Sequence, residues 1–187
     1  MNMPIDSPEL LALRVEELES YFEEVELKCK KLHPDAILPT NVGDGNIGWD
    51  FYCVADNEFF EVVRNCIDCG EKLKAGSKVC ILNSGATHIF HTGLACMVSS
   101  GFALQLWDRS GMATKKNIHR LAGIIDSSYR GEIMVVLTNL SKTFQVIKAG
   151  DRIIQGIIAR DYKAHAYWVD ELNNTQRGDR GFGSTGD

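Results

Sequence analysis

The chain has 187 residues, 44% of them hydrophobic, and a formal charge of -5, which allows one well-buried domain with an appendage and no clustered basic surface for nucleic acid. No stretch reaches the roughly 20 apolar residues of a membrane span, and the acidic opening from Met1 to Ser20 is unlike a signal peptide. A cytoplasmic protein is expected, in a cell or in the cytoplasm of a virus's host, with its six cysteines reduced or bound to metal.

Ser7-Pro8-Glu9 combines a capping hydroxyl, a proline at the first helical position and an acid in the first turn. It predicts a helix to about Glu24, with Leu11, Val15, Leu18, Phe22 and Val25 on one stripe that packs against its own domain or oligomer. At Val25 the period changes. Val25, Leu27 and Cys29 alternate with Glu26, Lys28 and Lys30, as in a half-buried strand. His33-Pro34 and Leu38-Pro39 interrupt, and the Gly, Asn and Asp residues from Asn41 to Gly48 predict a loop that delivers Gly48-Trp49-Asp50-Phe51-Tyr52. Short β-favouring runs follow, from Thr87 to Leu106 around Gly93 and Gly101, then Ile133 to Leu140, Phe144 to Ile147 and Arg152 to Ile158. Many short strands with no second helical pattern predict an all-β sandwich or barrel. The layout is a helical extension over 1–24, a β domain over 25–172 and a glycine-rich tail over 173–187 whose composition alone predicts a loose end.

Two stretches in the middle carry chemistry. Arg109-Ser110-Gly111 joins a cation, a hydroxyl and a residue without a side chain, which suits a phosphate approached by backbone N–H groups. Asp126 and Tyr129 stand between Gly123 and Gly131. Leu121, Ile124 and Ile125 lead in, Ser127-Ser128 turns the chain and Met134 to Leu137 leads out, predicting a β-hairpin with an acid and a ring at its bend. An isolated Arg-Ser-Gly is more often a polar turn, and a lone Asp in a hairpin is usually a turn former, so order and company must decide. Cys66-Ile67-Asp68-Cys69-Gly70 has the shape of half a zinc knuckle, with Cys80, His88 and His91 as the other candidate ligands. The plainer reading is reduced cysteines in a surface insertion over about 58–84.

Five motifs stand in order: Gly48 to Tyr52; Arg109-Ser110-Gly111-Met112-Ala113; Ala122 to Asp126 with Tyr129-Arg130-Gly131; Gly150-Asp151-Arg152-Ile153-Ile154-Gln155; and Arg177-Gly178 with Gly181 to Gly186. In this order they resemble the trimeric dUTP pyrophosphatase (dUTPase) family, from about Val25 to the last residue. The resemblance implies a distorted jelly roll, to which the N-terminal helix is an addition. It implies hydrolysis of dUTP to dUMP and pyrophosphate by a homotrimer with shared sites, and Mg²⁺ that arrives with the triphosphate and is held through water by Asp50. It implies roles as well. Asp126 activates the attacking water, Tyr129 packs under the deoxyribose, and Arg109, Ser110, Gly111 and Gln155 serve the phosphates. Backbone groups around Gly123, Ile124, Ile125 and Asp126 read uracil, and Met134 is among the substrate-binding positions. In the tail Phe182 covers the base, while Arg177, Gly183, Ser184 and Thr185 close over the phosphates.

Three positions depart from the family pattern: Asp108 stands for a usual proline, Ser128 for a frequent second acid and Arg180 for a glycine. Asp108 puts an anion beside a phosphate site and would weaken binding unless paired with Arg109 or a lysine. Two rival readings share the fold. A dCTP deaminase would need a catalytic Glu, for which Glu132 is the nearby candidate, and a regulatory protein would bind a partner protein through the helix and the insertion. The intact Asp126 and Tyr129 pair favours the hydrolase.

Overall fold

The structure is a computed structural model that describes Pro8, residues 25–62 and residues 73–179. Its elements are β1 (Leu27–Lys31), β2 (Trp49–Tyr52), β3 (Phe60–Glu61), β4 (Lys78–Leu82), β5 (Thr87–Val98), β6 (Phe102–Trp107), α1 (Ser110–Lys116), β7 (Ile118–Arg120), β8 (Ile124–Ile125), β9 (Glu132–Asn139), β10 (Gln145–Lys148) and β11 (Arg152–Arg160). The strands pair antiparallel into three sheets, ordered β1-β5-β9-β7, β10-β4-β3 and β2-β11-β6-β8. This is the all-β jelly roll expected from the sequence. In β9 strict alternation sends Ile133, Val135 and Leu137 into the core and leaves Met134 exposed. With Phe51, Phe90, Leu104, Leu106, Ile147, Ile153 and Ile154 they form one apolar cluster between the sheets, the main source of stability for such a fold.

Several expectations need correction. The seven-residue helix α1 was not foreseen, because it buries only Met112 and so shows no apolar period. Its exit was legible: Asn117 adopts φ 52°, the left-handed cap that asparagine tolerates, after Lys115 and Lys116 in the last turn. The hairpin around Asp126 is not a two-stranded hairpin either. β8 pairs with β6, whereas β9 pairs with β5 and β7, so the chain crosses between sheets through residues 126–131. The reach of β8 toward β6 depends on Gly123, whose carbonyl accepts from Leu106 N at 2.7 Å and where a Cβ would come within 2.7 Å of Leu106 O. Within the supposed insertion, β3 and β4 join β10 around Val62, Leu73, Val79 and Val146, so residues 78–82 are sheet and not decoration. The last strand ends at Arg160, and residues 161–179 follow it as an arm without strand or helix. The predicted N-terminal helix, apart from helical Pro8, lies outside the described residues, as do Cys66, Cys69, Arg180, Phe182, Gly183, Ser184 and Thr185.

Candidate active site

One half of the site forms where β2, β6 and β11 lie side by side. Along β11, Arg152 faces Tyr52, Ile154 faces Phe51 and Gln155 faces Asp50, so Ile153 is an extra residue and the strand is bulged. Ile153 and Ile154 are consecutive and both buried. The extra residue also brings Arg152 and Gln155 to one face, which their odd spacing would forbid in a regular strand. Arg152 Nη1 donates to Asp50 Oδ2 at 3.0 Å, while Arg109 donates from Nε to Oδ1 at 2.6 Å and from Nη2 to Oδ2 at 3.3 Å. One largely buried carboxylate thus fixes two guanidiniums and offsets their repulsion. Next to them lies a cleft of about 500 Å³, lined by Arg109, Gly111, Met112, Lys115, Lys116, Lys148, Asp151 and Arg152. Cations outnumber acids there, as a polyphosphate requires. Gln155 is oriented by its amide donating to Asp108 O at 3.0 Å. Gly48 makes room for it, since a Cβ there would sit 3.2 Å from Gln155 Oε1.

Asp108 does not intrude on this cleft. Its carboxylate accepts from Arg120 N at 2.9 Å and pairs with His119 Nδ1, so the partner is a histidine on β7 and not Arg109 or a lysine.

The second half is the crossing at Asp126. Tyr129 N donates to Asp126 O at 3.0 Å, and Arg130 Nη1 donates to Ser127 O and Tyr129 O at 2.7 Å. The Tyr129 hydroxyl donates to Glu132 O at 3.0 Å. Its ring lies over Gly131, where any Cβ would collide with it. Asp126 is exposed and its carboxylate takes no part in these turn bonds. β8 forms the edge of its sheet with Ile124 72% exposed, which leaves a backbone edge of the kind a planar base can pair with. The side-chain hydrogen bonds of Tyr129 and Arg130 stay within residues 127–132, and those of Arg109 go to Asp50 and Arg152, so among the described residues the predicted ones form two clusters. Arg177 lies on the exposed arm.

Sequence reasoning did not single out Arg152, Lys115, Lys148, His119 or the scaffold role of Glu132. The Glu132 carboxylate accepts from His91 Nδ1 at 2.9 Å and from Gly93 N at 2.8 Å, where β5 shifts register between His91 and Ala95. It therefore ties the β5 irregularity to the foot of the Asp126 turn, which counts against a deaminase catalyst. The zinc set also loses its described members. Cys80 is enclosed in the core, where burial pushes its thiol up to about 11. His88 bonds Asp56 at 3.0 Å and His91 bonds Glu132. Among the described residues no group of three or more His, Cys, Asp or Glu is placed to hold a metal.

A family model described as dUTPase matches residues 68–186. The chain belongs to the dUTPase family. The deoxyuridine 5'-triphosphate nucleotidohydrolase of Wolinella succinogenes is 36% identical over 169 residues, covering 89% of this chain and 98% of the relative. That of Hydrogenobaculum sp. is 37% identical over 164 residues, with 87% and 99% covered. Among solved structures, a mutant dUTPase of Staphylococcus bacteriophage 80alpha with dUpNHpp superposes with a TM-score of 0.66 at 19% identity, covering 87% of this chain and 99% of that one. A mutant dUTPase from phage phi11 of S. aureus, described for its coordination of a structural Mg(II) ion, gives 0.61 at 16% identity, covering 80% of this chain and 99% of that one. The dUTPase jelly roll is therefore the shared fold.

Proposed function

We infer that the protein hydrolyses dUTP to dUMP and pyrophosphate, with water attacking the α-phosphorus, and that it works in the cytoplasm as a homotrimer. The observation that carries this reading is the Arg109–Asp50–Arg152 cluster beside a cationic cleft, in a chain that also presents an exposed Asp126 in one turn with Tyr129. Arg109, Ser110, Gly111 and Gln155 bind and orient the phosphates, with Arg152 and the cleft lysines offsetting their charge. Asp126 accepts the proton of the attacking water. Tyr129, fixed by Glu132 O and Gly131, supports the deoxyribose where a 2′-hydroxyl would collide. The edge of β8 from Gly123 to Asp126 reads uracil, beside Met134. Phe182, with Arg177, Gly183, Ser184 and Thr185, closes over base and phosphates and excludes water.

Mg²⁺ fits this site indirectly. A carboxylate whose two oxygens already accept guanidinium donors is a poor direct ligand, so Asp50 would hold the ion through its waters, with the triphosphate as chelator. The bound ion supplies charge neutralisation at the phosphates.

The homotrimer rests on the arm. Residues 161–179 form neither strand nor helix, and Tyr167 and Trp168 are 80% and 101% exposed. An arm with such apolar residues exposed matches one that lies on a neighbouring copy and carries the final motif to its site.

The test is pyrophosphate release with Mg²⁺ from dUTP, dCTP, dTTP and UTP. Release from dUTP alone is expected, and uracil formed from dCTP would overturn the reading. Asp126→Asn is expected to keep nucleotide binding and lose most turnover, by a factor on the order of 100 or more. Near-normal turnover would remove Asp126 from its role.

A further inference from the structure

Cys29 and Cys96 stand directly opposite one another on the paired strands β1 and β5, with their Sγ atoms 3.3 Å apart. Cys96 is buried, and Cys29 is half-buried against the same core cluster. Opposed residues of an antiparallel pair have Cα atoms about 4.5 or 5.5 Å apart, according to the type of pair. Both spacings lie within the range of about 4.4–6.8 Å that a disulfide accepts. Joining these sulfurs needs side-chain rotation and no strand movement. The remaining described cysteines differ: Cys53 donates to Lys148 O at 3.1 Å, and Cys80 is enclosed in the core.

We propose that Cys29 and Cys96 are a thiol–disulfide modification site, oxidised by a small anionic disulfide of the glutathione type to a bond that staples β1 to β5. The two thiols have different roles. Cys29 is the more exposed and lies on an edge strand. The hydrogen bond from Cys96 lowers its pKa against the opposing effect of burial, which makes it the attacking group. That bond and burial raise Cys96, so it acts second. Lys31, exposed two positions along the strand on the face of Cys29, favours the approach of an anion.

The Cys29 thiolate attacks one sulfur of the small disulfide, forming a mixed disulfide and expelling one small thiolate. Cys96 then gives up its proton, and its sulfur attacks Cys29 Sγ, forming the Cys29–Cys96 bond and expelling the second small thiolate. Two electrons pass from the cysteines to the small disulfide, and the two cysteine protons end on the two small thiols. Among the described residues strand β1 is bonded in its sheet to β5 alone, so the bond closes the chain between positions 29 and 96 and holds this edge strand against fraying.

The full chain is equilibrated in glutathione buffers of rising disulfide fraction, alkylated, digested without reduction and mapped by mass spectrometry. A peptide pair joined through Cys29 and Cys96 is expected, together with a higher thermal midpoint that reductant reverses and unchanged pyrophosphate release. Absence of the joined pair in buffers that oxidise the thiols of the unfolded chain overturns the proposal. Cys96→Ser is expected to stop at a glutathione adduct on Cys29, and Cys29→Ser to leave Cys96 unmodified; equal adducts in the two variants overturn the assigned order. Wild-type turnover by both serine variants establishes that they are folded, and the unaltered chain decides the matter without them.

Discussion

Asp50 is the residue on which the phosphate side turns, and its surroundings set what its loss would do. It is 8% exposed and holds Arg109 and Arg152 together. Asp50→Asn leaves two neighbouring guanidiniums without their counter-charge. We expect a loss of about 1–3 kcal/mol in urea unfolding, less than for a fully buried pair because the Arg152 side chain is 48% exposed. We also expect kcat/KM to fall on the order of 100-fold as Arg109 loses its orientation; unchanged kinetics would show that the triphosphate alone orients Arg109. Such residues were partly legible in the sequence. Asp50, Arg109 and Gln155 could be named from their motifs, whereas the face that Arg152 shares with Gln155 could not, because it depends on a bulge that no residue type announces.

At the scale of elements, the strands were legible wherever period 2 held, as in β1 and β9, and illegible where the chain departs from it. The partner of β8 is one such case. Two apolar residues beside a turn look like a hairpin arm, and only a close backbone approach at Gly123 directs them to β6. The junction at Gly93 is another. Its φ of +67° and a Cβ position 2.6 Å from His33 Cβ admit no side chain, and Glu132 bonds its N–H. Gly93→Ala is therefore expected to cost more than about 2 kcal/mol in urea unfolding. A smaller loss would mean that β5 can straighten without disturbing its neighbours.

At the scale of the whole molecule two expectations follow. Burial, with the Asp151 charge adding to it, pushes Cys53 up to about 12 from an ordinary value of 9.0. Its folded pKa is raised, so the native protein keeps this proton in a range where the unfolded chain gives it up. The stability it contributes is complete below pH 9 and is lost as pH rises from there toward about 12. Unfolding free energy should fall between about pH 9 and about pH 12, and Cys53→Ala should flatten that slope. The second expectation concerns assembly. If Asp126 and Arg109 of one site come from different subunits, two inactive variants, Asp126→Asn and Arg109→Gln, should complement each other when refolded together. Random mixing in equal amounts leaves roughly a quarter of sites with both wild-type groups. No recovery would place both residues of a site in a single subunit.

The bulge at Ile153 gives the protein an unusual vulnerability. Most positions near a catalytic centre are defined by what they are, but Arg152 and Gln155 are also defined by how many residues separate them. Excising Ile153 would yield a more regular strand, with apolar character and every charged group retained, and would turn either the arginine or the glutamine away from the face they share. Here the reading frame of the sheet is itself a functional determinant, one that a tolerance map built from substitutions would overlook and a single-codon deletion would expose.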